Sequence, residues 1–508
     1  MAKKRTFVTR LLNTTEKVGN ALPHPATLFL LFALSVLVFS LIAHWANWSG
    51  VHPGTGEEVH VVNLMSKEGF HRILLELVDN YTGFAPLGIV LVAMLGIGIA
   101  EGSGLIGALI RLLVLSAPRR LLTFVLVFAG IVSNFASDIG YVLLIPLAGI
   151  IFQAVGRNPI TGMAAAFAGV SGGFSANLLI GSIDPLLAGL STEAAQIVDP
   201  DYYVNPTANY YFMIVSTFIV AFVGTVVTER IVAPRLGDYD SKGVEHNDEF
   251  GPLTPIEKKG IKWSGVATLA VIAVILLGVV PENGFLRGED GTVINSPLIR
   301  GVVAWLVILC AAAGITYGVV TKKYKSDADV MNSMGEALKT LTTYMVLVFF
   351  AAQFVAYFKW SNLGLIIAIK GAGLLSAMNL GLIPLVIMFV IFAATLNMFM
   401  GSASAKWALI APIFIPIFMF LGYSPELAQV VFRIGDSVTN VISPMMSFFA
   451  LIIAFFQKYD KDSGIGTVIA TMLPYSIAFF LVWTLLMVLW VWIGLPLGPD
   501  AGLYYQGG

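Results

Sequence analysis

Five charged residues stand inside otherwise apolar stretches of this chain: Asp138, Asp184, Lys406, Arg433 and Asp436. A charge in such surroundings is expensive and is a functional suspect by default. Asp138, Asp184 and Asp436 are candidates for ion coupling. An apolar surround raises a carboxyl pKa, so a group such as Asp184 can take up and release a proton near neutrality. Lys406 and Arg433 suit the carboxylate of an anionic substrate. Each residue also has a plainer role open to it. Arg433 and Asp436 are three apart, share a helix face, and can neutralise one another. Asp184 precedes Pro185 and can cap the segment that Pro185 begins. Lys406 can snorkel to an interface.

Polar and small residues cluster around these charges. One cluster runs Ser133-Asn134-Phe135-Ala136-Ser137-Asp138, and another runs from Asn397 through Ser402 and Ser404 to Lys406 and Trp407. A chain can reverse at such places, and helices starting near Asp138 and Ser404 aim their positive dipole ends at a ligand. Ser133, Asn134, Asn397, Ser402 and Ser404 are therefore candidate substrate contacts, with simple capping of the helices as the alternative. Trp407 offers a flat apolar surface and an N–H donor for an aromatic ring, or it packs in the interior. Two further breaks follow. Gly172-Gly173 leads to Asn177, and Pro425 opens a run through Arg433, Asp436 and Asn440 to Pro444. Gly172, Gly173, Pro425 and Pro444 are candidate hinges, because paired glycines and prolines interrupt helices. Asn177 and Asn440, with the carbonyls freed there, make oxygen-rich ground for a hydrogen-bonded substrate or a sodium ion. The six histidines form no metal-ligand spacing. No resident metal or cofactor is expected.

These segments have to be positioned by elements of a particular kind. The chain has 508 residues, 57% of them hydrophobic and only 12% charged. A soluble domain is about a quarter charged. The apolar residues come in blocks of roughly 20, the length that crosses a bilayer as a helix. A soluble enzyme, a nucleic-acid binder and a disordered chain are excluded. Lone Cys310, inside an apolar run, leaves no disulfide framework. The expected class is an all-α polytopic membrane protein.

Seven continuous spans are expected: Ala26–Trp48, Phe84–Ala100, Ala208–Thr228, Trp263–Val280, Ile299–Val320, Thr342–Phe358 and Thr467–Gly494. The first reads as a retained span and not as a cleaved signal. Two regions, Leu121–Leu190 and Leu380–Phe456, are apolar but studded with Gly, Ser, Asn and Pro. With a cytoplasmic N-terminus, 21 of the 29 Lys and Arg residues fall inside, 6 fall outside, and Lys406 and Arg433 lie at membrane depth. That split requires each irregular region to hold one re-entrant hairpin and one broken span. The total is nine spans and two hairpins. The stretches Val51–Tyr81 and Lys322–Lys339 read as polar connections, Asp238–Lys259 as a cytoplasmic loop, and Gly498–Gly508 as a short flexible tail.

The two irregular regions match at a shift of 266. Leu143, Pro146, Ile151, Phe152, Gly156, Pro159, Gly169 and Ser171 meet Leu409, Pro412, Ile417, Phe418, Gly422, Pro425, Gly435 and Ser437. The charge pattern enters the copies from opposite faces. Inverted repeats with broken segments at the midplane are the mark of secondary transporters. The expected division is residues 1–25 as a cytoplasmic N-terminus, 26–83 as first span and external loop, 84–232 as the first repeat, 233–341 as a cytoplasmic loop and scaffold spans, 342–494 as the second repeat, and 495–508 as an external tail.

Longer runs resemble the AbgT family of transporters. They are Ser133-Asn134-x-Ala136-Ser137-Asp138-x-Gly140-Tyr141-Val142, Gly173–Asn177 with Ile183–Gly189, Gly401–Ala408, and Arg433-Ile434-Gly435-Asp436-Ser437-x-Thr439-Asn440-x-Ile442-Ser443-Pro444. The resemblance implies a homodimer in a bacterial inner membrane, with nine-span protomers, two hairpins, an inner transport core and an outer scaffold. It implies transport of p-aminobenzoyl-glutamate, and in some members proton-driven export of sulfonamides. It attaches function to Asp184, Asn397, Trp407, Pro425, Arg433, Asp436 and Pro444. The expected partners are a small anionic aromatic substrate, protons or sodium, and the lipid bilayer. An ion channel is the competing class, since hairpins with helix dipoles also build channels. An intramembrane protease would need two close carboxylates, such as Asp138 and Asp436.

Overall fold

The computed structural model describes residues 23–53, 56–136, 140–237, 252–289, 291–293, 296–379 and 381–505. Ser137 and Asp138, residues 1–22 and residues 238–251, where most of the expected cytoplasmic loop falls, lie outside them. The architecture is helical. The first third carries α1 (Pro25–Trp45), α2 (Lys67–Thr82), α3 (Ala85–Gly102), α4 (Leu105–Leu115), α5 (Leu122–Ser133), α6 (Ile145–Ala154), α7 (Pro159–Phe167), α8 (Ile183–Ala195) and α9 (Tyr210–Val227). Then come α10 (Pro255–Val279), α11 (Val302–Val320) and α12 (Asp327–Thr340). The last third carries α13 (Thr342–Trp360), α14 (Leu363–Ala377), α15 (Leu382–Asn397), α16 (Ala403–Phe420), α17 (Pro425–Asn440), α18 (Phe449–Gln457) and α19 (Ile465–Ile493). One small antiparallel hairpin pairs β1 (Ser49–Val51) with β2 (Glu58–His60).

Among the described residues, eight helical stretches are long and apolar enough to cross a bilayer. Seven coincide with the continuous spans read from hydropathy, and the eighth is α16. Neither α7 nor α8 is long enough alone, and neither are α17 and α18. After α7 the chain runs through a π-helical turn, 168–172, and leaves the helix at Gly173. It resumes as α8 at Ile183. After α17 it runs non-helically to α18 at Phe449. The starts of α8 and α18 are again 266 apart, so the sequence match extends into the geometry of both breaks. Arms α5 and α6 both pack on α7, α5 also packs on the π turn, and arms α15 and α16 both pack on α17.

The turns before α7 and α17 show why those positions match. Gly156 and Gly422 both take a left-handed backbone, at φ +78° and +84°. Asn158 and Ser424 then cap the next helices through Ile160 N–H and Leu427 N–H. Pro159 and Pro425 occupy the first turns, where a missing N–H does no harm.

Several expectations need correction. The stretch Val51–Tyr81 contains the small hairpin and α2, capped by Ser66. Lys322–Lys339 contains α12, opened by a Ser326–Asp329 capping box. Helix α10 starts eight residues before Trp263, at a Thr254–Glu257 capping box, and takes in Lys258 and Lys259. Helices α4 and α14 were not expected as separate elements. The C-terminal stretch is packed through Tyr505. Ser424 N–H donates to Leu503 O and Tyr505 N–H to Gly422 O, while Leu497, Ala501 and Leu503 are buried. A tail so short still covers the α16–α17 turn because it has apolar residues to bury there.

A Cβ built on Gly156 or on Gly422 meets nothing within 4 Å. Gly156→Ala and Gly422→Ala therefore cost backbone strain alone, about 1–2 kcal/mol each. Thermal unfolding of the purified protein should show both losses, and they should add in the double variant.

Candidate functional site

Helix α17 is the centre of the site. Glu426, Gln429, Arg433, Asp436, Ser437 and Asn440 recur at steps of three and four, so they form one polar stripe. Every residue of α17 except Thr439 is buried. The stripe has no water to face, and each member finds a partner on another element or on the chain nearby.

Arg433 Nη2 lies 2.7 Å from Asp184 Oδ1, at the start of α8. Asp184 Oδ2 also accepts from Gly181 N–H at 2.8 Å, ahead of the helix, so Asp184 ties down the break and does not cap α8. Asp436 pairs with Lys406 of α16, and Lys406 also donates to Asn397 Oδ1 at the end of α15. All four charged groups are buried. Arg433 and Asp436 thus do not neutralise one another, and Lys406 does not snorkel. Each cation takes its counter-charge from a different helix. Arg433 keeps two buried donors, Nε and Nη1, with no hydrogen-bond partner.

Asn397 ties the second hairpin to the second break. Its amide reaches Asp436 O, Thr439 Oγ1 and Asn440 Oδ1 at 2.6–2.9 Å. Ser443 Oγ donates to Asn397 O at 3.0 Å. A side chain with two amide hydrogens cannot satisfy three acceptors at once. The arrangement is a shared network, and a nearby ligand can redistribute it.

A cavity of 380 Å³ opens beside this network. Both hairpins and both breaks contribute to it: Asn134 and Tyr141 from the first hairpin, Ser402 and Ser404 from the second, Ser182 from the first break, and Asn440 at the start of the second. Tyr141 stacks on Phe448 with centroids 4.5 Å apart, making an aromatic wall. Asn134 Oδ1 is buried without a partner. Among the described residues, the lining carries hydroxyls, amides and rings and no charged side chain. The charges stand immediately behind it: Asn440 joins the cavity to Asn397 and Lys406, and Ser182 and Ile183 adjoin Asp184.

Of the expected substrate contacts, Asn134, Ser402, Ser404 and Asn440 meet in this cavity. Ser133 donates to Gly130 O and faces the other side of the tip. Asn177 accepts from Leu178 and Leu179 N–H and shapes the break locally. Trp407 is fully buried, stacked on Phe432 at 4.5 Å, and donates to Ser191 Oγ at 2.9 Å. Its faces are taken, so in this conformation an aromatic substrate does not stack on it. Lys406 and Arg433 are likewise committed to their own carboxylates. Gly172 and Gly173 sit where side chains would collide. A Cβ at Gly172 meets the Phe479 ring at 2.6 Å, and one at Gly173 meets Ile131 at 2.5 Å. They admit close packing at a helix end. Pro425 begins α17, and Pro444 lies in the break beyond it.

A second network was missed by charge counting. Ser191 Oγ donates to Gln429 Oε1, Gln429 Nε2 to Asn209 Oδ1, and Asn209 Nδ2 to Glu426 O. Tyr202 OH donates to the Glu426 carboxylate at 3.0 Å. Burial, and then Glu426 beside it, push the Tyr202 hydroxyl pKa up, which keeps it a donor. The period of the polar stripe in α17 is the signal that reaches Glu426 and Gln429.

Comparison with known proteins places the chain. Residues 10–505 match the model of the AbgT transporter family. The p-aminobenzoyl-glutamate transport protein of Escherichia coli strain K12 is 38% identical over 496 residues, 97% of each chain. The crystal structure of the Alcanivorax borkumensis YdaH transporter superposes with a TM-score of 0.90 at 44% identity, covering 94% of this chain and all of that one. The MtrF structure of Neisseria gonorrhoeae, presented as illuminating a class of antimetabolite efflux pumps, gives 0.92 at 49%, covering 97% and all of that chain.

Removing one partner of a buried pair strands the other charge, at about 3–5 kcal/mol. Asp184→Asn and Arg433→Gln should each lower the unfolding temperature of the detergent-solubilised protein strongly. The double variant should lose clearly less than the sum. Trp407→Phe should cost about 1 kcal/mol through the lost hydrogen bond to Ser191. It should leave the transport KM within twofold; a rise above tenfold would show that the ring meets substrate.

Proposed function

From the premise that this chain belongs to the AbgT transporter family, we propose that it moves p-aminobenzoyl-glutamate or a related p-aminobenzoate compound by alternating access, coupled to protons or sodium. It is a multi-pass membrane transporter and not an enzyme. The observation that carries the substrate reading is the 380 Å³ cavity between two hairpin tips and two breaks. Its rings suit a benzoyl group, and its hydroxyls and amides suit an amide and carboxyl oxygens. The cations that would balance a carboxylate stand one residue behind the wall.

The coupling scheme follows from the pairs. Protonation of Asp436 would release Lys406 from its counter-charge, and Lys406 and Asn397 together would then present positive charge toward Asn440 and the cavity. An anionic substrate would take the place of the carboxylate. Deprotonation would restore the pair and expel the substrate. Asp184 and Arg433 form a second such pair, anchored one turn away on α17. Only ligands that distinguish the paired from the unpaired state can shift the balance between conformations.

The proposed arrangement is nine spans and two re-entrant hairpins, with residues 84–232 and 342–494 as inverted repeats and the N-terminus in the cytoplasm. The positive-inside distribution of Lys and Arg supports it. In the proposed dimer the scaffold helices would join the protomers. The efflux role of MtrF brings a reverse direction through the same site as the second reading for this chain.

Counterflow of radiolabelled p-aminobenzoyl-glutamate in proteoliposomes, under imposed pH or sodium gradients, tests the proposal. One of the two gradients should raise flux several-fold, and Asp436→Asn should abolish that response. Flux indifferent to both gradients, or a fully responsive Asp436→Asn, would overturn the coupling scheme. Conductance steps would favour a channel.

A further inference from the structure

Residues 133–135, at the end of α5, separate two cavities. Asn134 faces the polar one described above. Its neighbours Ser133 and Phe135 face another, of 480 Å³, bounded by α4 and α5 on one side and by α10 and α11 on the other. The wall closes where Gly181 approaches the Asn134–Phe135 backbone, leaving a Cβ only 3.2 Å from it.

This second cavity has the chemistry of a hydrocarbon chain. Among the described residues, no charged side chain lines it. The three hydroxyls that reach it are already used: Ser133 donates to Gly130 O, Thr268 to Ser264 O, and Tyr210 to Leu178 O. Among the described lining residues an anionic aromatic substrate would find no counter-charge, and besides those hydroxyls only the Trp305 indole N–H and the Cys310 thiol could donate. The depth is equally specific. Thr268 is the fourteenth residue of the 25 in α10, and Cys310 the ninth of the 19 in α11. Both helices have the length and apolarity of spans, so their middles lie near the bilayer centre. The lining residues Leu109, Leu179 and Ile272 are exposed, so the cavity is open at that depth. It is continuous with the outer face of α10, where Leu269 and Leu277 are about two-thirds exposed. Water does not reach the hydrocarbon region, and packed proteins rarely leave apolar voids of this size.

We propose that a phospholipid acyl chain occupies this cavity, entering from the bilayer between α4 and α10 and lying against the back of the first hairpin tip. The site is separate from the substrate cavity and does not depend on the transport reading.

The test uses the full-length protein in nanodiscs of phosphatidylethanolamine and phosphatidylglycerol, with a fraction of phosphatidylethanolamine carrying a mid-chain diazirine. After photolysis, cross-linked residues are mapped by mass spectrometry. Adducts on 105–113 and 302–313 should exceed those on the outer face around Leu269 and Leu277 several-fold. Ala313→Phe, filling the cavity from the scaffold side, and Leu109→Trp, from the core side, should each cut the lining adducts at least fivefold while the Leu269 adducts persist. Those persisting adducts, with a monodisperse elution profile, show that a variant has folded. Lining adducts no more frequent than outer-face adducts, or unchanged in both folded variants, would overturn the proposal.

Discussion

A charge held at bilayer depth must find its counter-charge on another element, and the centre of this protein is arranged around that constraint. Arg433 and Asp436 share a helix face yet pair outward, with Asp184 of α8 and Lys406 of α16. Pairing within α17 would have neutralised the charges and left the helix free of its neighbours. Pairing across makes α8, α16 and α17 mutually dependent, because loss of either partner leaves a buried ion. Such pairs add little net stability over well-packed apolar residues, but breaking one is severe. Their effect is therefore to fix which helices stay together.

The same accounting governs the backbone. A chain that leaves helical geometry inside a membrane protein frees carbonyls and N–H groups that lipid cannot satisfy. At the first break, Asn177 takes two N–H groups, Asp184 takes Gly181 N–H, and Ser175 N–H donates to Ser437 Oγ. At the second, Asn397 and Ser443 bind across the gap between hairpin and break. The polar residues near the cavity thus divide into two groups. Some repair the backbone that makes a cavity possible. Others, Asn134, Ser402, Ser404 and Asn440, line it.

That division accounts for how much was legible in the sequence. Long apolar blocks gave the continuous spans within a few residues, apart from the polar start of α10, because few structures besides a membrane-crossing helix keep about 20 apolar residues in a row. The shift of 266 located both breaks, since the left-handed glycines, caps and prolines are local needs that each copy must meet. Helices α2 and α12 escaped notice because they are polar, and only their capping residues Ser66 and Ser326 announce them. Which polar residues come together was legible only in part, and their contacts were not. Spacing put Arg433 beside Asp436; nothing in one sequence says that Asp184 lies nearer. Trp407 shows the limit most plainly. Its type fits a substrate ring, and the structure fills its face with Phe432.

The contacts also constrain where the molecule can yield. A movement that separated α8 from α17 would strip Arg433 of Asp184 in surroundings without water, and one that separated α16 from α17 would strip Lys406 of Asp436. The join between α4 and α10 is different. The ion pair that crosses it, Arg111 with Glu257, is about one-fifth exposed and sits where α10 begins. Deeper along the same join lies the apolar cavity, whose hydroxyls are satisfied on their own sides. Sliding there exchanges apolar contacts for other apolar contacts, and no buried charge is left alone. Buried ion pairs therefore hold α8, α16 and α17 together, whereas α4 meets α10 through apolar contacts and a partly exposed pair.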